Sequence, residues 1–67
     1  MIDIVVNGET RTVEETTTVD RLIETFGLSP KAVIVELSGN VITKDVYATT
    51  RLSAGDRVEL IRFVGGG

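Results

Sequence analysis

The stretch MIDIVVNGET RTVEETTTVD RLIETFGLSP, residues 1–30, decides the fold, because its hydrophobic pattern changes from the period of a strand to that of a helix. From Met1 to Val6 apolar side chains alternate, which predicts a strand with one buried face. Asn7-Gly8 favours a type I′ turn, because both central residues of that turn need positive φ. Glu9 to Glu14 is then the returning strand of a hairpin, favoured by its threonine and valine residues. The predicted buried face consists of Ile2, Ile4 and Val6.

A short helix follows the hairpin. Thr17 and Asp20 fit a capping box at its start, and Thr18 is the alternative N-cap. Gly27 stands where a left-handed residue ends a helix, and Pro30 prevents continuation, so the helix is about nine residues long. A helix of this length needs packing against a sheet to be stable. Its apolar stripe consists of Val19, Leu22, Ile23 and Phe26.

The remainder of the chain predicts three more strands. Ala32 to Leu37 is a strand rich in β-branched residues, with Val33, Val35 and Leu37 on one face. Residues 38–40 form a turn, and residues 41–42 form a very short strand. Residues 44–50 are irregular or contain one helical turn, and the final strand is Arg57–Val64. Tyr47 and Leu52 are the expected anchors of the long connection, and Gly55-Asp56 is the turn that leads into the last strand. The order of elements indicates an α+β domain with one helix covering one sheet face.

Composition excludes several classes of protein. The 67 residues contain no cysteine and no histidine, which removes disulfides, thiolate ligands and the usual general base. The net charge of −3 argues against a nucleic-acid partner, whose binding depends on neutralising phosphates. No apolar run is long enough to cross a membrane. We therefore expect a cytoplasmic domain with no catalytic residue and no metal site, since neighbouring carboxylates such as Glu14-Glu15 point to opposite faces of a strand.

The glycine run at the end of the sequence, Gly65-Gly66-Gly67, is difficult to explain by folding alone. Glycine loses the most conformational freedom on ordering, so it is a poor residue with which to end a folded domain. Without side chains, however, three residues can enter a narrow channel and reach roughly 10 Å beyond the fold. We expect Gly65 and Gly66 to thread into a partner's active site and to present the α-carboxylate of Gly67. The alternative is a frayed end or a run of glycines left from cloning.

The last strand predicts an interaction surface beside this tail. Val58 and Leu60 alternate toward the core, so the residues between them face away from the helix. An apolar patch on a small domain often marks an interface. The alternative is that some of these side chains complete an edge of the core. The predicted partner-binding surface consists of Val5, Ile34, Glu59, Ile61, Phe63 and Val64.

Residues 52–67, LSAGDRVELIRFVGGG, resemble the C-terminus of the ThiS family, the sulfur carriers of thiazole formation in thiamine biosynthesis. The Leu-x-x-Gly-Asp-x-Val pattern and the terminal glycine pair are shared with the wider ubiquitin-like group, which includes the MoaD carriers. The similarity extends over the chain through the Asn7-Gly8 hairpin, Thr18-Val19 at the helix start and Val35-Glu36-Leu37 in the middle strand. The short length and the Phe63–Gly67 ending favour ThiS over MoaD.

The resemblance implies a β-grasp fold. Its sheet is mixed, with four to five strands, and the last strand is central beside the first. One main helix packs on one face. The β-grasp domain occupies residues 1–64, and residues 65–67 form a flexible C-terminal tail.

The resemblance also implies a mechanism and its partners. A ThiF-like adenylyltransferase uses ATP and magnesium to adenylate the carboxylate of Gly67, so the carrier itself binds no cofactor. A persulfide donor displaces AMP to leave a thiocarboxylate, and a ThiG-like thiazole synthase accepts the sulfur. The carrier is expected to be a monomer when free, and it contacts neither nucleic acid nor membrane.

Other functions are compatible with the same residues. A MoaD-like carrier or another thiocarboxylate carrier, such as one for tRNA thiolation or cysteine synthesis, would use the same glycine end. A ubiquitin-like modifier would join that carboxylate to lysines of target proteins. A plain binding module of the same fold would not use the tail at all.

Overall fold

The computed structural model describes residues 1–62, and its elements follow the predicted order. Phe63–Gly67 lie outside the described residues, so the predicted boundary between a domain at 1–64 and a tail at 65–67 stays a prediction. The strands are β1 (Ile2–Val6), β2 (Glu9–Val13), β3 (Val33–Leu37), β4 (Asn40–Ile42) and β5 (Arg57–Arg62). The helix is α1 (Val19–Thr25), and two short 3-10 helices span Pro30–Ala32 and Lys44–Val46.

The five strands form one mixed sheet in the order β2-β1-β5-β3-β4. β1 and β5 run parallel, while β1–β2, β3–β4 and β3–β5 are antiparallel pairs. The last strand is therefore central beside the first. This confirms the α+β class and the mixed sheet.

Two tight turns join the antiparallel hairpins. Asn7 and Gly8 have φ values of 48° and 84°, and Ser38 and Gly39 have φ values of 51° and 86°. Positive φ at both central residues is the signature of a type I′ turn, whose twist matches that of the flanking strands. The predicted Asn7-Gly8 hairpin is confirmed. The second turn uses serine where asparagine is the commoner choice.

The start of α1 differs from the predicted capping box. Thr18, and not Thr17, is the N-cap, and its side chain makes no capping bond. Its hydroxyl instead donates to the carboxylate of Asp20. The first backbone N–H groups of the helix are satisfied by carbonyls of the long connection: Val19 N donates to Thr50 O over 3.0 Å, and Asp20 N donates to Tyr47 O over 3.2 Å. Because tertiary contacts satisfy these donors, the helix does not need a side-chain cap.

The end of α1 is a Schellman motif. Gly27 N donates to Glu24 O over 2.9 Å, and Leu28 N donates to Ile23 O over 3.2 Å. Gly27 has a φ of 74°, as predicted for the left-handed residue that follows a helix. The helix has seven residues rather than about nine, because this motif closes at Phe26. Pro30 begins the next 3-10 helix and so does not extend α1.

The core lies between α1 and one face of the sheet. Every predicted core side chain of β1, β3 and β5 is turned toward the helix, with Ile2 and Leu37 only partly buried. Tyr47 and Leu52, the predicted anchors, are 3% and 2% exposed. The core consists of Ile4, Val6, Val19, Leu22, Ile23, Val33, Val35, Tyr47, Leu52, Val58 and Leu60.

Candidate functional site at the end of the last strand

The central strand β5 is fixed at its beginning by the turn that precedes it. Ser53 N donates to Asp56 Oδ2 over 2.8 Å, which closes the turn predicted at Gly55-Asp56. Gly55 N donates to Asp3 O over 2.8 Å and ties this turn to β1. From there β5 runs between β1 and β3 toward Phe63–Gly67, the part of the chain that carries the predicted reactive carboxylate. The position of that carboxylate lies outside the described residues.

The two edges of β5 are held by different partners. Along its length β5 pairs with β3, from Leu37 opposite Val58 to Val33 opposite Arg62. Its pairing with β1 covers only Val5 with Arg57 and Val6 with Val58. Beyond Val58 the β1 side is occupied by Asn7, whose side chain bonds to the backbone of Leu60. The sequence predicted Asn7 as a turn residue and did not predict this contact, because the two residues are 53 positions apart.

The sheet face opposite α1 carries the described part of the predicted partner surface. Ile61 is 44% exposed and lies opposite Ile34, which is half-buried. Glu59 is exposed and lies opposite Glu36. Val41 of β4 lies opposite Glu36 of β3 and is 65% exposed. The sequence did not predict it as part of this face. Its outward position follows from the short Ser38-Gly39 turn, which sets the register of β4.

The register does not bring all of the predicted surface together. Val5 lies opposite Arg57, at the beginning of β5, whereas Ile34 lies opposite Ile61 near its end. Glu59 separates the two positions on the same face of the strand. Val5 therefore lies apart from Ile34 and Ile61, because parallel pairing with β1 occurs only at the beginning of β5, and the role of Val5 in partner binding stays a prediction. Phe63, Val64, Gly65, Gly66 and Gly67 lie outside the described residues, so their predicted roles stay predictions.

Within residues 1–62 the structure shows no cluster of acidic side chains that would hold a metal ion. Among the same residues no charged side chain is buried, and no helix is long and apolar enough to cross a membrane. Of the two carboxylates of α1, Asp20 accepts a bond from the N–H of Arg21 over 2.8 Å, and Glu24 is exposed.

Comparisons with known proteins agree with this geometry. The model of the ThiS family matches residues 4–67. The sulfur carrier protein ThiS of Bacillus subtilis is 37% identical over 54 residues, which are 81% of this chain and 82% of that protein. The crystal structure of the thiamine biosynthesis protein ThiS from Geobacter metallireducens superposes with a TM-score of 0.82 at 33% identity, covering 98% of this chain and 100% of that one.

Two longer proteins are also similar. The thiazole synthases of Paramagnetospirillum magneticum and Magnetococcus marinus are each 34% identical over 64 and 61 residues. These matches cover 96% and 91% of this chain, which spans about a fifth of each relative, 20% and 19%. The five-stranded sheet, the single α-helix of residues 1–62 and the match over residues 4–67 have one common explanation: the chain has the β-grasp fold and belongs to the ThiS family.

Proposed function

We propose that this protein is a sulfur carrier of thiamine biosynthesis, and that it holds sulfur as a thiocarboxylate on the α-carboxylate of Gly67. The observation that carries the proposal is the family match, which extends through the glycine run to residue 67. The structure supports it in a second way. A central strand held on both edges ends at Arg62, close to that run in the sequence, and this arrangement would let a partner bind the folded domain while the glycines enter its active site.

The chemistry needs activation, because a carboxylate is a poor electrophile. A carboxylate oxygen of Gly67 attacks the α-phosphorus of ATP, and magnesium pyrophosphate leaves. The terminal sulfur of a persulfide then attacks the acyl adenylate and AMP leaves, which forms an acyl disulfide. A second thiol cleaves the sulfur–sulfur bond, is oxidised to a disulfide with the donor, and releases the thiocarboxylate. The persulfide and the thiol that cleaves it both belong to partners, because this chain contains no cysteine.

The partners that fit this chemistry are a ThiF-like adenylyltransferase, which uses the ATP and magnesium, and a ThiG-like thiazole synthase. Similarity to two thiazole synthases supports the second of these. The carrier itself supplies a substrate carboxylate and performs no catalysis. We place its action in the cytoplasm, where ATP is available to the activating enzyme.

We propose that the partners dock on the sheet face beside the end of β5. Ile34 and Ile61 are paired there, with Glu59 and Glu36 next to them. This arrangement fits a partner surface that combines apolar and basic side chains. The two glutamates repel each other across the sheet, and a basic side chain of the partner would relieve that repulsion. Phe63 and Val64 would extend this face toward the glycines. Val5, at the other end of β5, lies outside it.

The test is the intact mass of the chain after incubation with a ThiF-like enzyme, magnesium ATP and a persulfide donor. We expect the mass increase that replaces one oxygen by one sulfur. A chain that lacks Gly66 and Gly67 is the control and should gain no mass. If the protein were a plain binding module, this shortened chain would still bind its partner. If the full chain stays unchanged beside an authentic carrier that becomes loaded, the proposal is wrong.

A further inference from the structure

The side chain of Asn7 takes the place of a missing strand residue beside β5. β1 ends at Val6, and the chain then turns away at Asn7-Gly8. Asn7 N donates to Val58 O over 2.9 Å, which is the last backbone bond from the β1 side that the described residues show. Two residues further along β5, Asn7 Oδ1 accepts a hydrogen bond from the N–H of Leu60 over 2.8 Å. Asn7 Nδ2 donates to Leu60 O over a longer 3.4 Å.

A carboxamide can do this because it carries the same acceptor and donor as a peptide group. The orientation of the amide is set by its surroundings, since the N–H of Leu60 requires an oxygen at the shorter distance. Leu60 is only 7% exposed, so its backbone groups have little access to water. A buried N–H without a partner would be costly, and Asn7 removes that cost.

The turn alone does not explain the asparagine. Ser38-Gly39 adopts the same pair of positive φ values with a serine in the first position. Ser38 makes no side-chain hydrogen bond within residues 1–62, whereas Asn7 makes two. The Ser38-Gly39 turn contacts the last strand through its backbone alone, since Ser38 N donates to Arg57 O over 2.7 Å. Of these two turns of one geometry, only the Asn7-Gly8 turn bonds the last strand through a side chain within residues 1–62.

We infer that Asn7 is a positioning residue for the C-terminal carboxylate. It fixes the backbone of Leu60 on the β1 side of β5, two residues before this strand ends at Arg62, and the sequence continues from there to Gly67. This inference rests on the proposed function. Without the carboxamide, the hydrogen bonds that residues 1–62 show for β5 beyond Val58 lie on its β3 edge. More residues must then be ordered when a partner takes up the glycines, and ordering each residue costs free energy.

The first experiment measures amide hydrogen exchange by NMR in the 67-residue chain and in Asn7→Gly. Glycine keeps the turn but removes the carboxamide. Ser38→Gly is the matched control, because it introduces the same flexibility into the equivalent turn. We expect Leu60 to exchange at least tenfold faster in Asn7→Gly, relative to Leu22 in the core helix, and to keep its relative rate in Ser38→Gly. Equal relative rates for Leu60 in both variants would overturn the inference.

The second experiment measures activation by a ThiF-like enzyme as pyrophosphate release at varied concentrations of the carrier. Loss of one net hydrogen bond predicts a KM about fivefold higher for Asn7→Gly with kcat unchanged. Asn7→Asp keeps an acceptor for the N–H of Leu60 and favours the same turn, so its KM should lie between those of Asn7→Gly and the unaltered chain. Ser38→Gly should behave as the unaltered chain.

The outcomes separate the two proposals. If the unaltered chain releases no pyrophosphate, the carrier function is wrong and the positioning role is wrong with it, although faster exchange of Leu60 would still establish the contact. If the unaltered chain is activated and Asn7→Gly has the same KM as Ser38→Gly, the carrier function stands and the positioning role is wrong.

Discussion

At the scale of single residues, Tyr47 connects the long loop to the sheet. Its hydroxyl donates to Val33 O over 2.9 Å in a buried position. β4 ends opposite Val35, so no residue of that strand faces Val33. The hydroxyl of Tyr47 therefore gives Val33 O a hydrogen bond that β4 is too short to provide. The sequence indicated the ring as an anchor and did not indicate the acceptor of its hydroxyl.

We predict that Tyr47→Phe lowers the free energy of unfolding by about 1–2 kcal/mol, because it leaves a buried carbonyl without its donor. Urea denaturation followed by circular dichroism measures this. Thr49→Val is the control: Thr49 Oγ1 donates to Val46 O over 3.3 Å at an exposed site, and its loss should cost less than about 0.5 kcal/mol. Equal stabilities of the two variants would contradict the role of the hydroxyl.

At the scale of elements, the two ends of α1 are closed in different ways: other segments supply the hydrogen bonds at its N-terminal end, and its own backbone supplies them at its C-terminal end. Carbonyls of the long connection satisfy its first N–H groups, and the Schellman motif with Gly27 closes its last turn. Phe26, at this end, is half-buried and lies against Arg11 of β2, whose guanidinium carbon is 4.9 Å from the ring centre. One side chain of the edge strand thus lies over the ring at the end of the helix.

We predict that Gly27→Ala destabilises the protein by about 1–2 kcal/mol, the cost of a left-handed conformation for a residue with a Cβ. Apart from Gly27 and the two residues adjacent to it, no atom of residues 1–62 lies within 4 Å of the position that this Cβ would take, so the cost comes from the backbone conformation and not from packing against other segments. Gly27→Asn should cost less, because asparagine tolerates positive φ. Thermal melts of both variants measure the two costs, and an alanine variant as stable as the parent would show that the left-handed conformation carries no such cost here.

At the scale of the whole molecule, α1 covers one face of the sheet, and no helix of residues 1–62 covers the other. The inner face carries the core, whereas the outer face shows Ile61, Val41 and Glu59 to solvent. A domain of this size stays stable by packing one face well, which leaves the second face available for partners. In the proposed function, partner docking and the stability of the core therefore depend on opposite faces of the same strand, β5.

This separation predicts that Ile61→Asp weakens binding to a ThiF-like or ThiG-like partner at least tenfold while changing the melting temperature by only a few degrees. An aspartate at this position would be buried against the apolar part of the partner surface, and burying a charge there is costly. Thr10→Asp is the control, since Thr10 is exposed on the same face opposite Val5. Calorimetric titration beside a thermal melt measures both quantities. Unchanged binding by Ile61→Asp would remove this face from the proposed docking surface.

A second prediction concerns the end of the chain. Any residue added after Gly67 should abolish sulfur loading, because the reacting carboxylate is then an amide, and it should leave the fold unchanged. Intact mass reports loading, and the melting temperature reports folding. Loading that persists on an extended chain, with no proteolysis seen in the mass spectrum, would show that the carboxylate of Gly67 is not the reactive group.

The sequence by itself determined the features that depend on neighbouring residues. Alternation set which face of β1, β3 and β5 is buried. Asn7-Gly8 and Gly27 indicated the first hairpin and the end of α1, because positive φ is a local requirement. The central place of β5 came from the family resemblance, since periodicity carries no information on strand order.

Only the tertiary structure decided the contacts between distant segments. The cap of α1 comes from Tyr47 and Thr50, Val5 lies apart from Ile61, and Asn7 bonds Leu60 across 53 positions of sequence. The physical reason is the same in each case: a backbone or amide group takes whichever partner the assembled sheet brings within hydrogen-bonding distance, and that partner is set by packing and register, which no short stretch of residues specifies.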